Sequence, residues 1–245
     1  MATATKPTRT TIGSRSTHQP EAEPDAELFE LYGERDGAPT GVTVPRARVH
    51  AEGLVHAAAY GWLIDRRRRR GGAGDPCPAP RVLLQRRSEA KKIGPGQWDL
   101  SVAEHLEPGE THRAAVVRGL GEELGLGAAF AGRATAAAPC APAGRHPREL
   151  VVPEAGVVDR EWVESYVVEV VGGEDGGAAD AAGGGGDVPA LPEIRFNPKE
   201  VSAVRWVGLR ELRDACRERP HEYTQWLREE GELLGWFLGG DDERQ

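Results

Sequence analysis

Residues 104–126 read EHLEPGETHRAAVVRGLGEELGL, and their spacing constrains the fold more than any other stretch of the chain. Glu110 precedes Arg118 with seven residues between them, and Leu120, the pair Glu122–Glu123, Gly125 and Leu126 follow. The spacing predicts a helix over residues 110–125. Thr111 is the N-cap, offering an oxygen to an orphan backbone N–H. Ala114, Ala115, Val117 and Leu120 form the apolar face, and Gly125 is the left-handed stop. At 3.6 residues per turn Arg118 and Glu122 lie one turn apart on one side, with Glu123 beside them. Adjacent carboxylates on a helix, with a third from the preceding loop, suit a hard cation such as Mg²⁺ or Mn²⁺.

This pattern resembles the Nudix box, G-x5-E-x7-R-E-U-x-E-E-x-G-U with U aliphatic. Glu110, Arg118, Leu120, Glu122, Glu123, Gly125 and Leu126 match it. Two positions depart: Glu104 stands where the box opens on glycine, and Gly119 stands where a glutamate follows the arginine. The resemblance implies a metal-dependent hydrolase of a small-molecule diphosphate, either a nucleoside diphosphate linked to another moiety or an isoprenoid diphosphate. The missing glutamate leaves open a weakened diphosphate-binding or interaction module. Residue 119 is expected on the side of Glu122 and Glu123, so that Gly119→Glu would add an oxygen ligand and raise activity.

The flanking residues narrow the likeness. R-R-S-x-x-K-K-x-x-P-G-x-W-D-x-S, residues 86–101, resembles the isopentenyl-diphosphate-isomerase-like branch of that superfamily, and within it the plant Nudix hydrolases. Some of those carry a peptidase segment, which is not expected here. The isomerases place a catalytic cysteine two residues before a metal histidine, and here that stretch is Ala103-Glu104-His105. A methyl group cannot carry the proton transfers of double-bond isomerisation. His50 and His56 fall roughly where the isomerases hold two further metal histidines, and Asp159 and Glu161 roughly where they hold two acids. By this resemblance Arg87, Lys91 and His105 contact substrate. Glu122, Glu123, Glu104 and Glu161 form the expected metal set. Arg118 and Glu122 belong to the catalytic group, with Glu200 as base and Glu161 as the alternative.

The rest of the chain bounds this reading. Its 245 residues, 39% hydrophobic with six Trp, suffice for one elaborated domain, expected over residues 27–240. A net charge of −8 argues against binding to a nucleic-acid backbone. Cys77, Cys140 and Cys216 form no CxxC pair and fit a reducing, cytoplasmic setting. No apolar run is long enough to span a membrane. Residues 1–26 lack acids before Glu21, which fits a disordered tail or an organelle transit segment. Flexible insertions are expected near residues 66–80, which hold five consecutive arginines, and near 172–188, a Gly-rich stretch.

Strands are expected at residues 57–64, 81–87, 160–171 and 200–209, with a strand or short helix at 27–32. A strand and then an irregular loop are expected across residues 130–147. Terminal helices are expected over 211–219 and 222–237, with Trp226, Leu227, Leu234 and Phe237 as a core stripe. Strands around one motif helix, with helices at the end, predict an α/β fold, an α/β/α sandwich with a mixed sheet.

Overall fold

The computed structural model describes residues 27–66, 80–126, 140–170 and 193–238. The two expected flexible insertions and the N-terminal tail fall outside them, as does Cys77. In chain order the strands are β1 (Leu28–Tyr32), β2 (Pro39–Pro45), β3 (Val55–Asp65), β4 (Arg81–Arg87), β5 (Trp98–Asp99), β6 (Val102–His105), β7 (Cys140–Val152), β8 (Val157–Glu169) and β9 (Val201–Gly208). The helices are α1 (Arg46–Glu52), α2 (His112–Glu122), α3 (Leu209–Glu218), α4 (Gln225–Leu233) and α5 (Gly235–Leu238).

β3 is the organising strand. It is buried from His56 to Asp65, because helices cover both faces of the sheet. Alternation divides its side chains. Ala58, Tyr60, Trp62 and Ile64 face one layer with Leu212, Tyr223, Trp226 and Leu227. Ala57, Ala59 and Leu63 face the other with Ala115, Val116, Leu120 and Leu124. The result is the expected α/β/α sandwich. The sheet is mixed, since β3 pairs in parallel with β8 and antiparallel with β4 and β6.

The second edge of β3 forks. Only Ile64–Val82 and Asp65–Arg81 pair with β4, whereas Ala58 to Gly61 pair with β6. At the fork the buried Ser101 hydroxyl accepts from the Leu63 N–H (2.8 Å) and donates to the Leu83 carbonyl (2.6 Å), standing in for the missing ladder bonds.

α2 forms where its sequence predicts, slightly shorter, but its buried face is Ala115, Val116, Gly119 and Leu120, with the expected Ala114 exposed and Val117 half-buried. Thr111 Oγ1 accepts from the Ala114 N–H, a cap of about 1 kcal/mol. Gly125 takes a left-handed φ of 70°, which lets the Leu126 N–H return to the Leu120 carbonyl at 2.8 Å. Val116, Leu120 and Leu124 are fully buried or nearly so, each contributing roughly 1.5–3 kcal/mol relative to exposure.

Three expectations need correction. α1 follows Pro45 directly, where the sequence suggested only a broken extended run. β7 is a long strand through Pro142 and Pro147, where an irregular loop was expected. It pairs only with β8 among the described residues, and an edge strand tolerates residues without an N–H. The terminal segment 222–237 is not one helix: a turn at Leu234 and positive φ at Gly235 and Trp236 split it. Trp226, Leu227 and Leu234 are in the core as predicted, and the side chain of the fourth expected member, Phe237, lies outside what the structure describes.

Candidate active site

A cleft of about 580 Å³ opens beside β6. Its walls hold the box residues Glu104, Arg118, Glu122 and Glu123 together with His50, His105, Asp159 and Glu161. Two neighbours on β6 divide it. Glu104 lies opposite Ala59 and takes the α2 face, while His105 lies opposite Ala58 and takes the other.

On the α2 face Arg118 is the hub. Its Nε and Nη2 donate to the two Glu110 oxygens at 3.1 and 2.9 Å, Nη2 also to the His105 carbonyl at 2.8 Å, and Nη1 to Glu104 at 3.0 Å. Glu122 lies 3.5 Å from Nη1 and stands at the exposed rim. Glu123 points inward and accepts from the Gln85 amide at 2.8 Å. Burial pushes the Glu123 carboxyl well above its usual range, and Glu104 beside it adds to the effect. Burial also raises Glu104 to about 7, against the pull of Arg118.

The space through which a side chain at residue 119 would reach Glu122 and Glu123 is already filled. Gly119 is buried, and a Cβ there would lie 2.5 Å from Val102 Cγ1 and 2.6 Å from Glu104 Cγ. Gly119→Glu in the otherwise unchanged chain therefore overpacks the contact instead of supplying a free ligand.

On the opposite face three imidazoles meet two acids. His56 Nε2 lies 3.3 Å from Asp159 Oδ1 and 3.8 Å from Glu161 Oε1, His50 Nε2 lies 3.8 Å from Asp159 Oδ1, and His105 Nε2 lies 3.1 Å from Glu161 Oε1. Donor atoms of His50, His56, His105 and Asp159 all lie within 4.8 Å of one another. His56 Nδ1 faces the Leu54 carbonyl at 3.2 Å. That carbonyl only accepts, so Nδ1 carries the proton and Nε2 offers its lone pair. His50 Nε2, His56 Nε2 and Asp159 Oδ1 are buried without a hydrogen-bond partner. A lone pair facing a carboxylate oxygen is repulsive unless a proton or a metal cation sits between them, and above the range in which Asp159 keeps its proton only a cation remains. These residues fit a divalent metal, and three nitrogens with carboxylate oxygens suit Mn²⁺ or a later transition metal better than Mg²⁺. The sequence reading placed His105 with the substrate contacts; its ring here joins the imidazole cluster.

Other residues hold this cluster. Arg148 donates to Asp159 (3.0 Å) and to Glu161 (2.9 Å from Nε), and the Tyr60 hydroxyl donates to Glu161 at 3.2 Å. Phe29 stacks on His56 with ring centroids 5.0 Å apart and lies 4.6 Å from His105, so the β1–β2 hairpin backs the imidazoles. Burial raises Glu161, but Arg148 and the His105 and His56 rings outweigh it and hold the carboxyl well below its usual range.

The charges predict how cation binding depends on pH. Burial, then the neighbouring Glu161, raises Asp159 to about 7. Burial lowers His50 to about 4. Asp159 holds its proton in the fold where the unfolded chain has lost it, so metal-free stability falls as pH rises from the usual carboxylate range to about 7. His50 acts oppositely. The unfolded chain takes up its proton near 6.5 while the folded chain does so only at about 4, so stability falls as pH falls through that window. Near neutral pH the imidazole is already free of protons, and a cation need displace only the carboxyl proton. Mn²⁺ affinity, measured by calorimetry at stepped pH, is expected to rise about tenfold per pH unit below about 7 and flatten above it. A flat profile across that range refutes the assignment.

The remaining expected residues also reach the cleft. Arg87 donates to the buried Asp99 (3.1 Å) and to the Ile93 carbonyl (3.0 Å), and packs on Trp226. Two of its nitrogens thus brace the wall. Lys91 pairs with Glu200, which precedes β9. Gln85, Tyr60, Arg148 and Lys92 were not singled out from the sequence. Lys92, the second lysine of the K-K pair, lines the cleft and makes no ion pair among the described residues.

The NUDIX domain family model matches residues 67–227. The chain belongs to the Nudix family. "Nudix hydrolase 3" of Arabidopsis thaliana is 37% identical over 92 residues, covering 38% of this chain and 10% of that protein. The match thus spans about a tenth of that plant relative's length. The isopentenyl-diphosphate Delta-isomerase of Dinoroseobacter shibae is 28% identical over 186 residues, 76% of this chain and 82% of that protein. Among solved structures, DR0079 from Deinococcus radiodurans covers 87% of this chain and all of its own, at 18% identity and a TM-score of 0.49. Among the described residues no helix is long and apolar enough to cross a membrane.

Proposed function

We propose that this Nudix protein hydrolyses a diphosphate linkage in a small molecule, assisted by divalent cations. The observation that carries the reading is the shared cleft. It joins the inward Glu123, the rim Glu122 and the Lys91–Glu200 pair to an imidazole–carboxylate cluster. Glu122 and Glu123 are the oxygen donors for Mg²⁺ or Mn²⁺, and His50, His56, His105, Asp159 and Glu161 the mixed set. A cation bound there neutralises phosphate oxygens and acidifies water. Lys91 and Lys92 supply positive charge to the substrate phosphates, and Arg87 shapes the wall that receives them.

Glu200 serves as the base. The alternative, Glu161, is held well below its usual range by Arg148 and the imidazoles and shares its oxygens with Arg148, Tyr60 and His105, which makes it a poor proton acceptor. Glu200 contacts one lysine, which a substrate phosphate can draw away.

Phosphate release from nucleoside diphosphate sugars, ADP-ribose, nucleoside triphosphates and isopentenyl diphosphate, with and without Mg²⁺ or Mn²⁺, tests the proposal. Metal-dependent turnover of at least one class is expected. Metal-dependent binding without turnover on any of them establishes the binding module instead.

Isomerisation of isopentenyl diphosphate is expected to be absent. Ala103 lies opposite Tyr60 on the His105 face and offers only a methyl group where a thiol would exchange protons. Dimethylallyl diphosphate detected by mass spectrometry after incubation with purified protein refutes this. Hydrolysis to the monophosphate is a separate outcome and does not.

A further inference from the structure

The two departures from the box lie against each other. A Cβ at residue 119 would lie 2.6 Å from Glu104 Cγ and 2.7 Å from Glu104 Oε1, closer than real Cβ atoms approach. Gly119 is helical, outside the set of glycines with positive φ, so backbone freedom is not why glycine is needed. It is needed because the Val102 and Glu104 side chains fill that space together, Val102 Cγ1 lying nearest at 2.5 Å. The carboxylate at residue 104 and the missing one at 119 are one arrangement divided between β6 and α2.

We propose that Glu104 and Gly119 are a transposed pair, in which β6 delivers into the Glu122–Glu123 oxygen set the carboxylate that α2 lacks. The inference rests on the cation-assisted reading of the cleft, though not on turnover. Arg118 Nη1 aims the transferred group, lying 3.0 Å from Glu104 and 3.5 Å from Glu122, so one guanidinium sets both carboxylates. Glu104 is largely buried yet lines the cleft beside Glu123. As filler alone, a carboxylate there would be poorly chosen, since an apolar side chain would fill the same volume without placing charge next to Glu123.

The pair predicts strong non-additivity, because each single change leaves the site either short of a carboxylate or overfilled. The experiment compares Glu104→Gln, Gly119→Glu and the exchange Glu104→Gly with Gly119→Glu, the last made together with Val102→Ala so that the 2.5 Å contact with Val102 Cγ1 is relieved as well. Mn²⁺ binding is followed by electron paramagnetic resonance, with Mg²⁺ as competitor to report the oxygen-donor class, and each protein's melting temperature is recorded. Glu104→Gln preserves shape. It is expected to melt no lower than wild type and to lose about tenfold in affinity for Mg²⁺-displaceable Mn²⁺. Gly119→Glu alone is expected to melt well below wild type.

The exchange is expected to melt above Gly119→Glu alone and to recover, within about threefold, the affinity. Wild-type affinity in Glu104→Gln makes Glu104 a filler and overturns the proposal. So does an exchange no better than the poorer single change, or wild type that binds no Mg²⁺-displaceable Mn²⁺. The cycle does not need turnover. A restored cation site in a protein that hydrolyses no diphosphate overturns the hydrolase reading and leaves the transposition standing.

Discussion

Glu123→Gln is expected to lower diphosphate hydrolysis by about a thousandfold, comparable to losing one preorganised electrostatic group at a reacting centre. Glu123 is the inward member of the acidic pair. Its Oε2 is fixed by the Gln85 amide at 2.8 Å, so its second oxygen is aimed by a neighbour and not by chance. Glutamine keeps the shape and can still accept from Gln85 through its carbonyl, but it removes the charge that a cation needs. The same change is expected to stabilise the metal-free protein. Burial raises the Glu123 carboxyl well above its usual range, so ionising it costs folding free energy as pH rises through and beyond the unfolded value of 4.5. Steady-state kinetics at saturating Mg²⁺, paired with melting curves in chelator, check both halves. A rate within a few-fold of wild type, or a lower melting temperature in chelator, refutes the assignment.

Arg148→Met is expected to lower the melting temperature of the metal-free protein by about 10 °C, which follows from the roughly 3–5 kcal/mol cost of breaking a buried charge pair. The Arg148 side chain is 8% exposed and serves Asp159 and Glu161 together, while packing over Tyr60 and Trp226. Methionine restores much of the volume, so the loss reports charge more than packing. Mn²⁺ is expected to return part of the difference, because a cation among His50, His56, His105 and Asp159 replaces some of the positive charge. Differential scanning calorimetry with and without Mn²⁺ decides it. A shift of less than about 2 °C in chelator, or no recovery with Mn²⁺, sinks the account.

The box helix and the buried strand β3 were legible because their signals are local: spacing of Arg118, Glu122 and Glu123 in one case, a long apolar run in the other. The imidazole cluster has no local signal. His50 comes from α1, His56 from β3 and His105 from β6, and only the resemblance to the isomerase-like branch suggested that they belong together. α1 was hidden because seven residues after a proline present barely two turns of periodicity. β7 was hidden because prolines read as loop unless the strand is known to be an edge. Arg148 was missed with it, since it follows the expected loop in a stretch given no element of its own, with nothing to aim it across at Asp159 and Glu161. Gly119 and Glu104 looked like two separate losses from one motif. Their contact is visible only once β6 is laid against α2.

The fork at β3 gives the sheet a seam. On one side lie β3, β6 and β8 with the imidazoles, Asp159 and Glu161; on the other lie β4 and β9 with Arg87, Gln85 and the Glu200 that leads into β9. Among the described residues backbone pairing crosses it at two residue pairs, supplemented by the Ser101 hydroxyl and the Gln85–Glu123 bond. A substrate whose phosphates reach Lys91 while its cation reaches the His105 side is therefore a clasp across the seam. Binding there would add a link between strands that share few backbone bonds and are otherwise held by side chains such as Ile64, Val82 and Val207 in one layer and Leu63 and Leu83 in the other.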